Sequence, residues 1–561
     1  MFIKLTRSGK YRYVQLVESY RNDEGKTRQR TLATLGRLDE DDGQVDAVLN
    51  ALLRARGKLA PSQEPQVSFE SALTLGDVWA LHGLWKEVGF DGLAAVFRRA
   101  RYTTAVEQAI RVMVFNRLCD PDSKLGVLRW LKTVSLPELN DKTLTHQQLL
   151  RSMDALMDHQ EAVDAVVAGL LRPMVDQDLS LVFYDLTTIR IEGTSELTDD
   201  VRHYGMSKEG TIARQVMLGV VQTAEGLPIY HEVFDGNQAE APTLLPTLQK
   251  VLERYPHIRR LVIVADRGLL SLDNMQCLQA LSLVDGRSLE FILAVPGRRY
   301  GEFRDILQAL HETMAREDSE TVCETEWQGV RLVVAHHPQR AKEQTTWRRE
   351  RIRELEAKAA QWAGKLDRQD GGHRHRGRKL SDSGAKARFY HEVNEARLAN
   401  IIKVDLKSDL FTYDINELAL QQAELVDGKL LLVTNVEDLP AREIVERYKS
   451  LADIERGFRV LKSEIEIAPV YHRLPQRIRA HAMICFMALI LYRLMRHRLS
   501  MANTGLSPER ALEQLRQIYR HQVVVNNRPL SGVSTITKEQ STVLDALKLK
   551  KPTQDEQLTL L

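Results

Sequence analysis

The sequence predicts an α/β protein of several domains, in which a central sheet follows a helical region. Three observations support this prediction. The 561 residues are too many for one simple core. Residues 70 to 175 repeat apolar side chains with the 3.6-residue period of a helix, as in "TAVEQAIRVMVFNRL". From residue 179 the pattern changes to three apolar strands, a helix and a fourth strand, which is typical of an α/β domain.

The N-terminal region, residues 1 to 60, combines a predicted β-hairpin with local positive charge. Residues 2 to 37 alternate apolar and polar side chains around the turn-like "NDEG" at 22 to 25. The whole chain has a formal net charge of only +2, but residues 1 to 37 carry nine basic residues against three acids. These basic residues are Lys4, Arg7, Lys10, Arg12, Arg21, Lys26, Arg28, Arg30 and Arg37. Such a patch binds phosphates or is a solvated surface, and charge alone does not decide.

The rest of the chain divides wherever the pattern changes. The predicted regions are a helical domain at 61 to 175, a first core part at 176 to 299, an insertion at 300 to 428, a second core part at 429 to 500, and a C-terminal helical region with a polar tail at 501 to 561. In the first core part, strands are expected at 179 to 187, 215 to 223, 227 to 234 and 260 to 268, with a helix at about 242 to 255. The insertion contains "GGHRHRGRK" at 371 to 379, a loop that touches DNA or serves as a linker.

Cysteine usage and hydropathy are those of a cytosolic protein. The four cysteines show no C-x-x-C spacing, so neither a disulfide framework nor a thiolate zinc site is indicated. The N-terminus "MFIKLTRSGK" lacks the apolar segment of a secretory signal. The stretch "AMICFMALILY" at 482 to 492 is too short to cross a bilayer, so a buried core helix is expected there.

Two aspartates stand where an apolar strand ordinarily carries no charge. Asp185 lies within "SLVFYDLTTIRIEG", residues 180 to 193, and Asp266 ends the fourth strand in "VIVADRG". If these strands are neighbours, the carboxylates face each other and repel unless a cation lies between them. Carboxylate oxygens favour Mg²⁺ or Mn²⁺, and two such ions stabilise the attacking and leaving oxygens of a phosphodiester displacement.

Each acid also has an ordinary explanation. Asp266, which precedes Arg267 and a glycine, fits a helix N-cap or a turn. A cap is a poorer explanation for Asp185, because it lies inside a strand. Glu455 fits a solvated helix face or an i,i+4 partner of Arg459. None of the three is decisive alone.

Together the acids resemble those of a known enzyme family. The order of Asp185, Asp266 and Glu455, with Tyr448 and Lys462 seven residues on either side of the Glu, resembles the DDE transposases of bacterial insertion sequences. It resembles the group with a Tyr-x2-Arg-x3-Glu-x6-Lys signature and a largely β insertion before the Glu. The matching motifs are "LVESYRNDEGKTRQRTLATLGR", "FNRLCDPDSK", "YDLTT", "YGMSKEG", "DGNQAEAPT", "VADRG" and "YKSLADIERGFRVLK".

The resemblance implies a ribonuclease-H-like catalytic core with a β-rich insertion. Asp185, Asp266 and Glu455 would bind Mg²⁺ or Mn²⁺, with two ions expected. The enzyme would cut double-stranded DNA at the terminal inverted repeats of its element and join the freed 3′-hydroxyl to target DNA, by repeated in-line phosphoryl transfer. It would act as a homodimer on DNA, with no membrane partner.

Candidate DNA contacts are the polar and basic residues near these acids. Seven residues of one helix turn about 700°, so Tyr448, Glu455 and Lys462 would share one stripe, about 10 Å apart. At Leu451 the signature has Arg, so the DNA contact of that Arg would be absent or moved to Lys449 or Arg459. Further candidates, each with a solvated surface as the alternative, are Arg202, Lys208, Arg214, Arg473, Arg477, Arg479 and His481.

Two other functional classes remain open. A ribonuclease-H-like nuclease would share the acids but lack a region that recognises element ends, which residues 1 to 175 are expected to provide. A catalytically inactive DNA-binding derivative would have lost an acid, whereas all three are present.

Overall fold

The computed structural model describes most of the chain. The described residues are 1–37, 44–56, 67–102, 105–139, 144–175, 180–193, 200–206, 210–265, 278, 288–314, 316–370, 380–407, 410–525 and 528–552. For residues 44–46, 180–181, 241, 407 and 452–457 the backbone alone is described. Asp266, Lys208 and the loop 371–379 lie outside the described residues, and Glu455 is described by its backbone only.

The described β-strands follow the chain from residue 2 to residue 533. They are β1 (Phe2–Ser8), β2 (Tyr11–Arg21), β3 (Thr27–Arg37), β4 (Val67–Thr74), β5 (Ser180–Arg190), β6 (His203–Met206), β7 (Ile212–Thr223), β8 (Pro228–Asp235), β9 (Leu261–Ala265), β10 (Glu290–Ala294), β11 (Thr321–Trp327), β12 (Val330–His336), β13 (Ile402–Lys407), β14 (Leu410–Ile415), β15 (Lys429–Thr434), β16 (Tyr519–Val525) and β17 (Arg528–Val533).

The described α-helices lie before, between and after these strands. They are α1 (Gln44–Ala55), α2 (Gly76–Val88), α3 (Leu93–Arg99), α4 (Val106–Cys119), α5 (Lys124–Trp130), α6 (His146–Asp158), α7 (Gln160–Leu171), α8 (Ala241–Arg254), α9 (Arg304–Met314), α10 (Pro338–Asp370), α11 (Asp382–Glu395), α12 (Glu417–Val426), α13 (Ala441–Lys449), α14 (Leu451–Ser463), α15 (Pro475–Met501), α16 (Pro508–Arg516) and α17 (Lys538–Ala546).

The chain forms two compact units. The N-terminal unit comprises Met1–Leu73, Tyr519–Ser534 and Pro552–Leu561, and the main unit comprises Thr74–Ile518 and Thr535–Lys551. The predicted helical domain at 61 to 175 is not a separate body, because its helices from α2 onward belong to the same unit as the large sheet.

The N-terminal unit contains the predicted hairpin and an additional strand. Strands β2 and β3 pair around a turn in which the Asn22 side chain accepts a hydrogen bond from Lys26 N–H at 2.9 Å. Gly25 adopts a positive φ of 78° in this turn, which favours glycine. Strand β1 pairs antiparallel with β2 and completes a three-stranded sheet. The sequence analysis placed one turn in residues 2 to 37, whereas the structure has a second turn between β1 and β2, where Gly9 adopts a positive φ of 61°.

The C-terminal region also differs from its prediction. Strands β16 and β17 form a hairpin within 501 to 561, where a helical region was expected, and β16 pairs with β4 in a second sheet of the N-terminal unit. The side chains of β16 alternate in burial in part, as a strand requires, but flanking helical patterns concealed the alternation. The polar tail at 553–561 lies outside the described residues.

A large mixed sheet forms the centre of the main unit. Its strand order is β11-β12-β15-β10-β9-β5-β7, and both β6 and β8 pair with β7. Strands β5, β9 and β10 run parallel to one another, and the other pairs are antiparallel. Four strands predicted in the first core part correspond to β5, β7, β8 and β9.

Helices cover the two faces of this sheet. On one face, an apolar cluster under α13 includes Phe183 and Val264, both 0% exposed. On the other face, the buried Tyr184 donates a hydrogen bond from its hydroxyl to Thr243 Oγ1 in α8, at 2.7 Å. Successive residues of β5 therefore point to opposite helical layers, as the pleat of a strand requires.

Helix α15 is the buried centre of the helical layer. It packs against α2, α4, α6, α14, α16 and α17 and against β8. It is long and apolar enough to span a membrane, yet 89% of its most apolar window is buried inside the protein. The prediction of a buried core helix at 482 to 492 is confirmed, because every residue of that stretch is buried.

The insertion at 300 to 428 is not β-rich among the residues that the structure describes there. It contains α9, α10, α11 and α12, and α10 alone has 33 residues, whereas β11, β12, β13 and β14 are short. Two of these strands, β11 and β12, extend the large sheet beyond β15. The expectation of a β-rich insertion was wrong because α10 has a charged sequence with ion pairs at helical spacing, such as Arg351 with Glu354 at 2.6 Å.

Candidate active site

Asp185 lies in the middle of the large sheet, on the face that α13 and α14 cover. It follows Phe183 by two residues, and side chains two residues apart in a strand point to the same face. Phe183 belongs to the apolar cluster under α13, and α14 contacts β5. The Asp185 carboxylate is half-buried, and its Oδ1 accepts a hydrogen bond from Leu186 N–H at 2.7 Å. A charged side chain thus stands within an apolar strand, under the helix of the third predicted acid.

Strand β9 ends beside Asp185. Strands β5 and β9 pair in parallel, with Tyr184 opposite Ala265. These are the residues immediately before Asp185 and Asp266. The sequence-based assumption that the two strands are neighbours is confirmed by the strand order. Asp266 itself lies outside the described residues, so its carboxylate position stays a prediction.

The predicted single helix from Tyr448 to Lys462 is wrong. Helix α13 ends at Lys449 and α14 begins at Leu451, so Tyr448 and Lys462 lie on different helices. At the junction, the Ser450 hydroxyl donates to the Arg447 carbonyl oxygen at 2.7 Å. A serine that bonds a nearby carbonyl in this way competes with the regular helical ladder. Tyr448 and Lys462 therefore belong to two helices joined at Ser450, whose φ of −65° and ψ of −13° stay in the helical region.

The surroundings of the junction explain why residue 451 is a leucine where the family signature has an arginine. Leu451 is 6% exposed and belongs to the apolar cluster under α13, against which Tyr448 also packs. A leucine suits this position because it buries apolar surface there. Lys449, a suggested replacement for the missing Arg, pairs with Glu320 at 2.6 Å. Arg459, the other suggested replacement, is exposed on α14.

Lys462 lies on α14 beside two buried apolar residues. Lys462 is half-buried, while Phe458 and Leu461 are buried at 6% and 2% exposure. The DNA-contact role of Lys462 stays a prediction.

The predicted DNA contacts after the first acid differ in accessibility. The Arg202 guanidinium is buried and bonds Asp200 at 2.6 Å and the Arg473 carbonyl oxygen at 3.0 Å. This burial argues against a surface contact with phosphate, although the Arg202 Nη1 has no partner among the described residues. Arg214 is half-buried, donates to the Gly193 carbonyl oxygen at 3.2 Å and lies 5.6 Å from the centre of the Tyr204 ring.

The β6–β7 hairpin carries exposed apolar side chains that the sequence analysis did not single out. Tyr204, Met206 and Ile212 are 69%, 64% and 72% exposed. Tyr204 and Met206 belong to the "YGMSKEG" motif and Ile212 follows it. An exposed aromatic residue beside an arginine is a common nucleic-acid contact. The available signal was the presence of Tyr204 and Met206 in an otherwise polar, glycine-containing motif.

The candidates around the start of α15 also fall into different environments. Arg477 forms two hydrogen bonds with Asp154 of α6, at 2.7 and 2.8 Å, and this bonding raises the pKa of Arg477. His481 is buried, with Nε2 3.0 Å from the Ile467 carbonyl oxygen, and burial lowers its pKa well below the usual range. His481 therefore offers no contact at the protein surface, and its role as a phosphate contact stays a prediction. Arg473 and Arg479 are exposed.

Asp185 is the one member of the predicted metal-binding set whose side chain the structure describes. Within the described ranges, no three His, Cys, Asp or Glu side chains converge on one point. The donor chemistry of the predicted set is nevertheless uniform, because three carboxylates provide hard oxygen ligands of the kind that Mg²⁺ and Mn²⁺ prefer.

Comparisons with known proteins identify two matching families. A model of the N-terminal domain of IS1634 family transposases matches residues 3–65, and a model of the transposase DDE domain matches residues 176–491. Among solved structures, the cryo-EM structure of the piggyBac transposase synaptic complex with hairpin DNA is similar at a TM-score of 0.37 and 9% identity. That similarity covers 87% of this chain and 80% of the piggyBac chain. No curated protein is significantly similar to the sequence.

Proposed function

Because the chain belongs to the DDE-type transposases of insertion sequences, we propose that Asp185, Asp266 and Glu455 form its catalytic, metal-binding centre. Members of this family are DNA transposases that cleave DNA. The observation that supports the centre is the parallel register of β5 and β9, with Tyr184 opposite Ala265. If β9 continues by one residue, Asp266 falls beside Asp185 and on the same face as Val264, under α13 and α14.

We assign this centre to a ribonuclease-H-like core made of β8, β7, β5, β9 and β10. The first three strands form an antiparallel meander, and α8 then connects to β9, which runs parallel to β5. This crossover supports the assignment because it brings the first and fourth strands of the core together. The helix that carries Glu455 packs against β5, so the elements that carry Asp185 and Glu455 meet the strand that ends just before Asp266.

Divalent metal ions are a general requirement of DDE transposase domains. We propose two ions, Mg²⁺ or Mn²⁺, held by the three carboxylates. When bound, such ions neutralise charge that develops on the attacking and leaving oxygens of a phosphodiester. Asp185 would be oriented by its hydrogen bond from Leu186 N–H. Two adjacent carboxylates without a cation would repel each other, so the arrangement itself favours cation binding.

We further propose that the N-terminal unit recognises the terminal inverted repeats of double-stranded DNA, together with the helices up to residue 175. In the first sheet, Arg7 is directly opposite Arg12, Tyr20 is opposite Arg28 and Glu18 is opposite Arg30. Because residues 12, 18 and 20 alternate along β2, the four arginines lie on one face of the sheet. Arg30 pairs with Glu18 at 2.7 Å, but the other three arginines leave this face positive, and a positive face attracts DNA phosphates.

A homodimer on DNA would allow each copy to bind one end of the element. The ribonuclease-H-like nuclease remains the alternative function, and a strand-transfer assay separates the two. A transposase joins the freed 3′-hydroxyl to a plasmid target, whereas a nuclease releases cut ends only.

The experiment that tests the centre compares three variants with a matched control. Asp185→Asn, Asp266→Asn and Glu455→Gln should each abolish cleavage of a duplex that carries one element end, without loss of binding to that duplex. The control is Asp305→Asn, which makes the same change at an exposed residue of α9 and should cleave as the parent does.

A second measurement locates the ions without relying on cleavage of DNA. In the presence of Fe²⁺, ascorbate and peroxide, radicals generated at the bound ion should cut the polypeptide near residues 185, 266 and 455. Cuts near one of these residues without the other two, or full DNA cleavage by Asp185→Asn, would overturn the proposed centre.

A further inference from the structure

A cavity of about 570 Å³ lies among the α4–α5 turn, the start of α6 and the segment 466–474 that leads into α15. This segment is joined to β5, because Val470 N–H donates to the Arg190 carbonyl oxygen at 3.0 Å and Glu192 N–H donates to the Val470 carbonyl oxygen at 2.9 Å. The cavity is thus connected to the strand of Asp185. Its wall includes part of "FNRLCDPDSK", residues 115 to 124, for which the catalytic centre gives no role.

Lys124 is the most unusual side chain of this cavity. The residue is only 6% exposed, and its ammonium forms no hydrogen bond or ion pair with any residue that the structure describes. Burial, and then the charge of Arg117, lower its pKa to about 7. A buried lysine without a carboxylate partner is energetically costly, and an anion in the cavity would offset that cost.

The neighbouring charges make the cavity positive. Arg117 is 5% exposed and donates to main-chain carbonyl oxygens, those of Asp122 and of Glu466, the latter at 3.2 Å. Its Nε is buried and has no partner among the described residues. Arg473 is exposed at the rim.

The acids of the cavity do not cancel this charge. The Asp122 side chain pairs with Arg129 at 3.2 Å, and Glu466 is exposed at the rim. Asp154 pairs with Arg477, so that pair is neutral as a whole. Burial, and then the charge of Lys124, lower the pKa of His472 to about 4.

We propose that this cavity binds a backbone phosphate of a DNA strand, with Lys124 at its floor and Arg473 at its rim. The proposal rests on the proposed function, because a transposase makes DNA the source of the phosphate rather than a free phosphate ion. Tyr471 at the cavity mouth is 71% exposed and offers a ring on which the adjoining base stacks.

The position of the bound phosphate follows from β5. Ile191, which is bridged to Val470, lies six residues after Asp185, so the cavity is about 20 Å from the catalytic centre along the strand. At about 3.4 Å of rise per nucleotide, that distance corresponds to roughly six nucleotides from the scissile phosphate.

The test is a scan of single neutral phosphates. Duplexes carrying one element end are made with one methylphosphonate at each position in turn, and their binding is measured for the parent, Lys124→Met and Arg473→Gln. Met keeps the unbranched stem of Lys124 and removes its amine. Lys132→Met is the matched control, because Lys132 is exposed two residues beyond α5 and does not line the cavity.

The parent should lose about tenfold or more in affinity at one position near the sixth nucleotide. Lys124→Met should bind even the unmodified duplex about tenfold more weakly than the parent does. A methylphosphonate at the same position should then cause no further loss of affinity in this variant. The Lys132→Met control should reproduce the parent profile. Arg473→Gln replaces an exposed side chain, so it tests the same position even if Lys124→Met does not fold.

The proposal would be overturned if Lys124→Met and Arg473→Gln each lost further affinity when this phosphate is neutralised, so that the loss from the substitution and the loss from the methylphosphonate added up. A second arm measures the melting temperature in inorganic phosphate against chloride at equal ionic strength. Stabilisation of the parent but not of Lys124→Met, without the coupled loss on DNA, would assign the cavity to free phosphate and also overturn the proposal. Because the scan measures binding, failure of the catalytic centre in the Asp185→Asn assay is distinguishable from failure here.

Discussion

Leu451 provides a direct test of how the junction between α13 and α14 is built. It occupies the signature position of an arginine, yet its side chain is 6% exposed in an apolar cluster with Phe183, Val264 and Ile292. If this burial is the reason for the leucine, then restoring the arginine should weaken the protein rather than improve its contact with DNA. The perturbation is therefore a series at one position: Leu451→Met, Leu451→Ala and Leu451→Arg.

The magnitudes follow from the environment of Leu451. Methionine conserves volume and should cost less than about 1.5 kcal/mol. Alanine removes buried methyl groups and leaves a cavity, which should cost about 2–5 kcal/mol. Arginine has an unbranched stem like that of methionine, so the difference between these two variants isolates the charge. A guanidinium without a partner in an apolar cluster should cost about 3 kcal/mol or more.

Thermal unfolding and DNA binding of the same samples check this ordering. For domains of 150–250 residues, 1 kcal/mol shifts the melting temperature by about 2–4 °C, and the longer main unit should shift somewhat less. Leu451→Ala and Leu451→Arg should melt several degrees below Leu451→Met, and none should bind an element end more tightly than the parent. The reasoning is refuted if Leu451→Arg melts with Leu451→Met and gains affinity for DNA, because position 451 would then face the DNA.

Three further outcomes are expected. Burial, and then the charge of Arg111, lower the pKa of His82 to about 4, so below pH 6.5 the unfolded chain binds a proton that the native state excludes. The free energy of unfolding, measured with denaturant, should therefore fall by about 2 kcal/mol from pH 7 to pH 5. The fall should be smaller in His82→Gln, which lacks this titrating group. Arg477→Gln and Asp154→Asn should each lower the free energy of unfolding by about 0.5–1 kcal/mol, and the double variant should lower it no more than either single variant. Loss of DNA affinity in Arg477→Gln but not in Asp154→Asn would instead make Arg477 a DNA contact. Replacing Arg7 and Arg12 with Gln should lower the salt slope of end binding by about 2 without destabilising the sheet, and an unchanged slope would exclude this face as a DNA contact.

The strand of Asp185 was predictable because its signal is local. An apolar run with one charge inside it indicates both a buried strand and a functional reason for the charge, and the structure gives β5 with Asp185 half-buried. The adjacency of β5 and β9 was predictable because a helical crossover after a meander returns the chain beside its first strand. The helix break at Ser450 was not, because apolar periodicity continues through it and a serine bond to Arg447 is too small a signal.

The roles of the basic residues could not be predicted from the sequence, for a different reason. Sequence shows that Arg202 and Arg477 carry charge, but the function of a charge depends on its partner in space. Arg202 pairs with Asp200, two residues away, whereas Arg477 pairs with Asp154, 323 positions earlier in the chain. Lys124 is the opposite case, since its segment reads as an ordinary helix start and its unusual burial appears only when α4, α6 and the 466–474 segment enclose it.

The apolar residues around Asp185 explain why a carboxylate stands in a buried strand. A slip of β5 by one residue would move Asp185 to the α8 face, away from α14. Phe183 and Tyr184 prevent this slip, because each is 0% exposed and each suits one face only. Phe183 fills the apolar cluster under α13, whereas the Tyr184 hydroxyl needs Thr243 of α8 as its partner. Exchanging the two faces would leave that hydroxyl unpaired in an apolar cluster, at a cost of about 1–3 kcal/mol. The two aromatic residues thus fix the direction of the carboxylate that follows them, and the same register brings the far end of β5 to Val470 and the cavity of Lys124.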